Sequence, residues 1–309
     1  MDHFHVSATG LSINYLPEYV ARELGFFKDV GIEVTSSVPT DWTQVLRDVD
    51  SGAAQAALGG IWVPSIYKQH GVKDYAAFAK VSSRCPMVLV ARASGEKSIP
   101  PAEEFDWHVL ENRQILCPGG NGISPYMFLA GCMREHGVDM STVRWIHDFT
   151  AGMLLEGFRC GWGDVVVLPP HMAATLYEAG KGYELCDLAR HGGDVPWSVY
   201  YGLPEFVSRE DSIAGRFTLA LQRGTQWVLD HDASCCADLL KRNWPKVSVE
   251  TLVAKVNYLR EVGMWTNALI GEREYTHYEE FMVHTGIIDE PLTWSQMVDS
   301  RPWNYACAN

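Results

Sequence analysis

Tyr15-Leu16-Pro17-Glu18-Tyr19-Val20-Ala21-Arg22-Glu23-Leu24-Gly25-Phe26-Phe27-Lys28-Asp29-Val30-Gly31-Ile32-Glu33-Val34 reads as a helix, a turn and the start of a strand. Leu16, Tyr19, Val20 and Leu24 recur at helical spacing, and Gly25 ends the helix where a left-handed residue is needed. Phe26-Phe27 opens the turn into a strand over Ile32–Val38. Working outward, a strand starts near Phe4 before this stretch and another near Gln55 after it. The order strand, loop, helix, strand, helix, strand, helix runs to about His70.

The same order returns from Gln114 to about Gly180. Strand starts near Phe4, Ile32 and Gln55 are about 28 and 23 residues apart, and those near Gln114, Val143 and Asp164 about 29 and 21. Each copy ends its third strand in a turn and a helix start: Leu58-Gly59-Gly60-Ile61-Trp62 in one, Leu168-Pro169-Pro170-His171 in the other. In the second copy Pro118-Gly119-Gly120-Asn121-Gly122-Ile123 leads to Ser124 as N-cap and Pro125 at the first helical position. Behind them Tyr126, Leu129, Ala130 and Met133 form an inward stripe. Thr150 caps the next helix and Pro170 starts the one after.

Strands alternating with helices imply an α/β fold with parallel pairing, and such sheets bind ligands beyond the carboxyl ends of their strands. Two such lobes predict a cleft that closes on a small molecule. Val81–Ala93 and Asp187–Leu203 read as the connections out and back, so lobe I spans residues 1–85 plus 195–309 and lobe II, inserted, spans 86–194. The tail is helical: Ser208-Arg209-Glu210-Asp211 has the form of a capping box before a helix to about Asp230. Helices follow near Cys235–Asn243, Ser248–Val262 and Tyr275–Thr285, all expected to pack on lobe I with Trp265, Trp294 and Trp303.

Composition bounds the function. Of 309 residues 47% are apolar and 20% charged, an ordinary globular balance. No run approaches the ~18 apolar residues of a membrane span. A formal net charge of −13 opposes nucleic acid and anionic membrane surfaces as partners. The eight cysteines show neither zinc-like spacing nor a CxxC pair. No metal and no cofactor is expected. Met1-Asp2-His3-Phe4-His5 enters a strand with no export signal, so the chain as written reads as cytosolic, or as periplasmic if an upstream signal was removed.

The run Tyr15–Val34 resembles the opening of type 2 periplasmic solute-binding proteins. The branch is that of sulfonate, nitrate and taurine binders and the yeast thiamine-pyrimidine synthase. Ala57-Leu58-Gly59-Gly60, the loop Gly119–Pro125 and the Gly-x-x-Asp segment in Gly161–Pro169 extend the resemblance over most of residues 4–230. It implies a ligand held between lobes by loop residues and closure by hinge bending. Carried onto this sequence, the loop residues are Ser12, Asn14 and Tyr15, then Asp41 and Trp42, then Gly60 and Trp62. In lobe II they are Asn121, Gly122, Ser124 and Tyr126, His147 with Asp148, and Pro169 with His171. Arg84 and Tyr200 lie on the crossing segments.

The residue types suit an organic anion. Glycine lets backbone N–H groups approach an oxygen, and a helix N-terminus favours negative charge. Trp42, Trp62 and Tyr126 are able to sandwich a flat organic body, and an arginine such as Arg84 pairs a carboxylate or sulfonate bidentately. Against this stand plainer readings: a glycine loop before a helix is commonly just a tight turn, a lone tryptophan commonly core. The expected function is an ABC-type solute-binding component with a membrane transporter as partner. The alternative is a cytosolic, cofactor-independent lyase on the same fold, a decarboxylase or dehydratase with His147 and His171 as its acid–base pair. Desulfinases of this fold carry a nucleophilic cysteine where this chain has Ser12 and an arginine where it has Ala57, so that chemistry is disfavoured.

Overall fold

The computed structural model describes residues 1–95, 98–100, 102–119, 124–209 and 212–309. Its strands are β1 (Asp2–Ala8), β2 (Ile32–Ser37), β3 (Ala56–Gly59), β4 (Ala76–Ser82), β5 (Val88–Arg92), β6 (Gln114–Leu116), β7 (Arg144–Ile146), β8 (Val165–Leu168), β9 (Gly182–Asp187) and β10 (Ser198–Gly202). They form two mixed five-stranded sheets, ordered β2-β1-β3-β10-β4 and β7-β6-β8-β5-β9, with flanking helices. The duplication read from spacing is thus a duplication of topology. In each sheet the first strand of the repeat is flanked in parallel by the second and third.

The fifth strand of each sheet runs antiparallel and comes from outside the repeat. β10 enters between β3 and β4, and β5 between β8 and β9. The segment Val81–Ala93, read as one connecting strand, is therefore two. β4 and β5 belong to different sheets, with Ser83–Met87 between them.

The chain divides into two compact units. One comprises Met1–Arg84, Asp194–His277 and Glu290–Asn309; the other comprises Cys85–Gly193 and Tyr278–Asp289. The tail is helical as expected, but Tyr278–Asp289 belongs with the second sheet. Its reason is visible on the helix Ser124–Glu135: of the expected stripe, Leu129, Ala130 and Met133 are buried and Tyr126 is half-buried, and Met127, Phe128, Gly131 and Cys132 are buried as well. Phe281 covers this second face, and a Cβ on Gly131 would lie 2.2 Å from its ring. Glycine is there because an aromatic ring occupies the space.

In the first unit Phe217, on the helix Ile213–Asp230, stacks on Phe4 at 4.4 Å and on Phe27 at 5.1 Å and meets Tyr200 edge-on at 4.8 Å. Fully burying one such ring contributes about 1.5–3 kcal/mol. The helix Leu16–Glu23 departs from its expected face. Leu16 and Val20 are buried, but Leu24 is 45% exposed, while Pro17, Glu18 and Ala21 turn inward. Gly224 sets that rotation: a Cβ there would meet the Pro17 carbonyl at 2.3 Å. The buried Glu18 carboxylate accepts from the Tyr200 phenol at 2.7 Å and pairs with Arg22.

Of the cap expectations, Thr150 accepts from the Met153 N–H and Pro170 opens its helix. The box at Ser208–Asp211 does not start the long helix. Ser212 is its N-cap, and Glu210 and Asp211 lie outside the described residues.

Candidate functional site

Within the first unit the loops after β1, β2 and β3 leave one edge of the sheet, because the three strands are parallel neighbours. The β1 loop is held from beneath. Asn14, 2% exposed, donates from Nδ2 to the Ser82 hydroxyl at 3.1 Å, and its carbonyl accepts from Trp265 Nε1 at 2.8 Å. Tyr15 is also buried. Desolvation raises its phenol pKa, partly offset by hydrogen bonds with Ser198 and Thr9. Ser12, half-buried, donates to the Asn14 side chain.

The outer surface of this edge is aromatic. Trp42 and Trp62, both partly exposed, approach at 5.9 Å between ring centroids with a 53° tilt. Asp41 beside them serves its own turn, accepting from the Thr43 hydroxyl at 2.8 Å and its N–H at 2.9 Å. Those bonds, the hydroxyl first, hold the carboxyl below the usual carboxylate range. Gly60 precedes the helix Trp62–Gln69 and stays half-buried.

The corresponding edge of the second unit is tighter. Beyond β6 the Cys117 N–H continues the ladder to the Ile146 carbonyl at 2.8 Å, and the Gly119 N–H reaches the Phe149 carbonyl at 3.2 Å. A Cβ on Gly119 would stand 1.8 Å from the His147 carbonyl oxygen, so only glycine lets the two loops pass. The His147 ring lies 4.7 Å from that of Tyr126, which meets Trp145 edge-on at 5.0 Å. His147 Nδ1 sits 3.2 Å from Asp148 Oδ1, a carboxylate 88% exposed. Water screens such a pair, so it orients the imidazole weakly. Ser124 opens the helix behind the glycine loop. Pro169 and Pro170 start the next helix, and His171 stands exposed in its first turn. Enough protein crowds that ring to hold its pKa below the ordinary histidine value. Asn121 and Gly122 lie outside the described residues.

The structure thus gathers Trp42 with Trp62, and Tyr126 with His147. Three other expected residues do not share those surfaces. Asn14 and Tyr15 brace the first loop from inside, and Tyr200 is fully buried with its hydroxyl on Glu18. Arg84 Nη2 pairs with Asp194 at 2.9 Å, so an incoming carboxylate competes with a resident one. The supports Ser82, Ser198 and Trp265 escaped sequence reasoning. Trp265 was legible only as packing, since nothing local links it to a loop 251 positions earlier. Among the described residues no three His, Cys, Asp or Glu side chains are grouped to hold a metal ion.

Comparison with known proteins places this geometry in context. Residues 12–234 match the model of the NMT1/THI5-like family. A putative binding protein of Bacillus subtilis strain 168, YtlA, is 23% identical over 293 residues, covering 94% of this chain and 85% of its own. Two solved structures share the fold. The periplasmic aliphatic sulphonate-binding protein SsuA of Escherichia coli aligns with a TM-score of 0.73 at 10% identity, covering 96% of this chain and 97% of its own. The periplasmic nitrate-binding protein NrtA of Synechocystis PCC 6803 aligns at 0.65 and 12% identity, covering 100% and 89%. All three are described as binding proteins. None of the three is described as a lyase, and the two solved structures are described as periplasmic.

Proposed function

We propose that this chain, which belongs to the NMT1/THI5-like family, is the solute-binding component of an ABC-type import system and takes a small organic anion. The observation that carries this reading is the repeated sheet edge. Each unit presents the loops of three parallel strands, with half-exposed rings beside backbone N–H groups at helix starts. Ser12, Trp42, Gly60 and Trp62 are the assigned contacts in the first unit, and Ser124, Tyr126, His147, Pro169 and His171 in the second. N–H dipoles and imidazoles stabilise an oxyanion without a metal ion. A membrane transporter is the implied partner, reached from the periplasm.

Titration calorimetry of the full chain against carboxylates, sulfonates and nitrate tests this. A saturable one-to-one heat with unchanged ligand recovered afterwards is expected. Chemical conversion of the ligand, or no heat from any member of the panel, sinks the proposal.

A further inference from the structure

The three loops after β1, β2 and β3 of the first unit contain no lysine or arginine. Thr9–Tyr15, Val38–Gln44 and Gly60–Ile66 hold a single charged residue, Asp41, and that is an acid. The basic residues nearest along the chain are already paired, Arg22 with Glu18, Arg47 with Asp41 and Lys68 with Asp74. A bare inorganic anion or a short-chain anion meets no side-chain cation in these loops. What the edge does offer is apolar. Leu11 and Val38, in the loops after β1 and β2, are each 51% exposed, and Trp42 and Trp62 present partly exposed rings 5.9 Å apart. Four apolar side chains, each within five residues of a strand's carboxyl end, are costly to leave in water unless something covers them. Their rings suit the face of another π-system, because tilted and offset stacking uses the ring quadrupole as well as the buried area.

We infer that the first unit is an aromatic platform, and that the ligand class is a flat aryl compound carrying at most one negative charge. This rests on the solute-binding reading above and narrows it. Stacking supplies the affinity at this edge, so charge contributes to ligand choice elsewhere. Two consequences follow. Binding should depend only weakly on ionic strength, since Arg47, the exposed cation beside these loops, is shared with Asp41. Discrimination should follow ring area rather than acidity.

The test uses full-length protein and four probes: 2-naphthalenesulfonate, benzenesulfonate, methanesulfonate and nitrate. Kd is measured by calorimetry at about 50 and about 500 mM salt. The naphthalene compound should bind about tenfold or more tighter than methanesulfonate, and its Kd should shift less than about twofold between the two salts. Trp62→Ala should lose about tenfold for the aryl sulfonates and distinctly less for methanesulfonate. Trp42→Leu, which keeps apolar volume without a ring, should repeat that pattern if Trp62→Ala does not fold. Methanesulfonate or nitrate binding as tightly as the aryl probes overturns the platform while leaving solute binding intact, as does a Kd that weakens about tenfold with salt. Silence from all four overturns the platform, and silence from the carboxylates as well overturns both readings.

Discussion

The two sheets share a strand order and differ in what lies under and over it. The first unit buries a cation with its partner: Lys80 Nζ sits 2.6 Å from Glu274, with side chains only 5% and 12% exposed. The second buries four thiols, Cys85, Cys117, Cys132 and Cys186, whose pKa values desolvation pushes upward. Over the carboxyl edge the contrast reverses. The first unit carries rings and aliphatic side chains, the second imidazoles, a carboxylate and a glycine crossing. Topology was duplicated; chemistry was not. The lesson is that a repeated fold transmits where a ligand edge lies and leaves its composition to each copy.

The largest effect expected from breaking this comparison is at Lys80. Lys80→Met leaves the Glu274 carboxylate buried without its ammonium, and should cost about 3–5 kcal/mol in urea unfolding. Adding Glu274→Gln should recover part of the loss. A single-mutant cost below about 1 kcal/mol would mean that the pair is solvated. The crossing glycine ranks next. Gly119→Ala forces a methyl against the His147 carbonyl and should cost about 2–4 kcal/mol. Gly10→Ala, in the β1 loop with nothing within 4 Å of its Cβ, should stay within about 0.5 kcal/mol. Equal effects at both glycines would erase the difference drawn between the two edges.

The smallest effect concerns pH. His171 has a folded-state pKa below its ordinary value of 6.5 because burial disfavours the imidazolium. The unfolded chain therefore binds the proton first, and stability falls as pH drops from about 6.5 through the folded value. Asp41, held below the carboxylate range, stays ionised across that window. Between pH 7 and pH 5, wild type should lose slightly more Tm than His171→Gln, whereas Asp41→Asn should track wild type. A His171→Gln curve that parallels wild type throughout would remove the imidazole from the account.

Much of this architecture was legible along the chain, and the illegible parts have identifiable causes. Capping is local, so Thr150 and Pro170 were readable from their neighbours. Helix faces were not. Leu24 looked like core and is exposed, and Glu18 looked like surface and is 1% exposed. The partners deciding this, Gly224 and Tyr200, lie far along the chain. Site residues divide likewise. Trp42, Trp62, Tyr126 and His147 were named as loop residues by the family resemblance. It did not show that Asn14, Tyr15 and Tyr200 point inward.

The order of residues by itself determined the repeat, the edges from which the loops emerge and the shortage of cations there, since periodicity, turn chemistry and charge are properties of short stretches. Only tertiary structure decided that each sheet borrows an antiparallel strand from outside its repeat, that Trp265 holds the first loop, and that Gly119 slides over His147. Those outcomes depend on long-range hydrogen bonds and on volume already occupied. No local pattern encodes what a side chain meets when distant segments compete for one space.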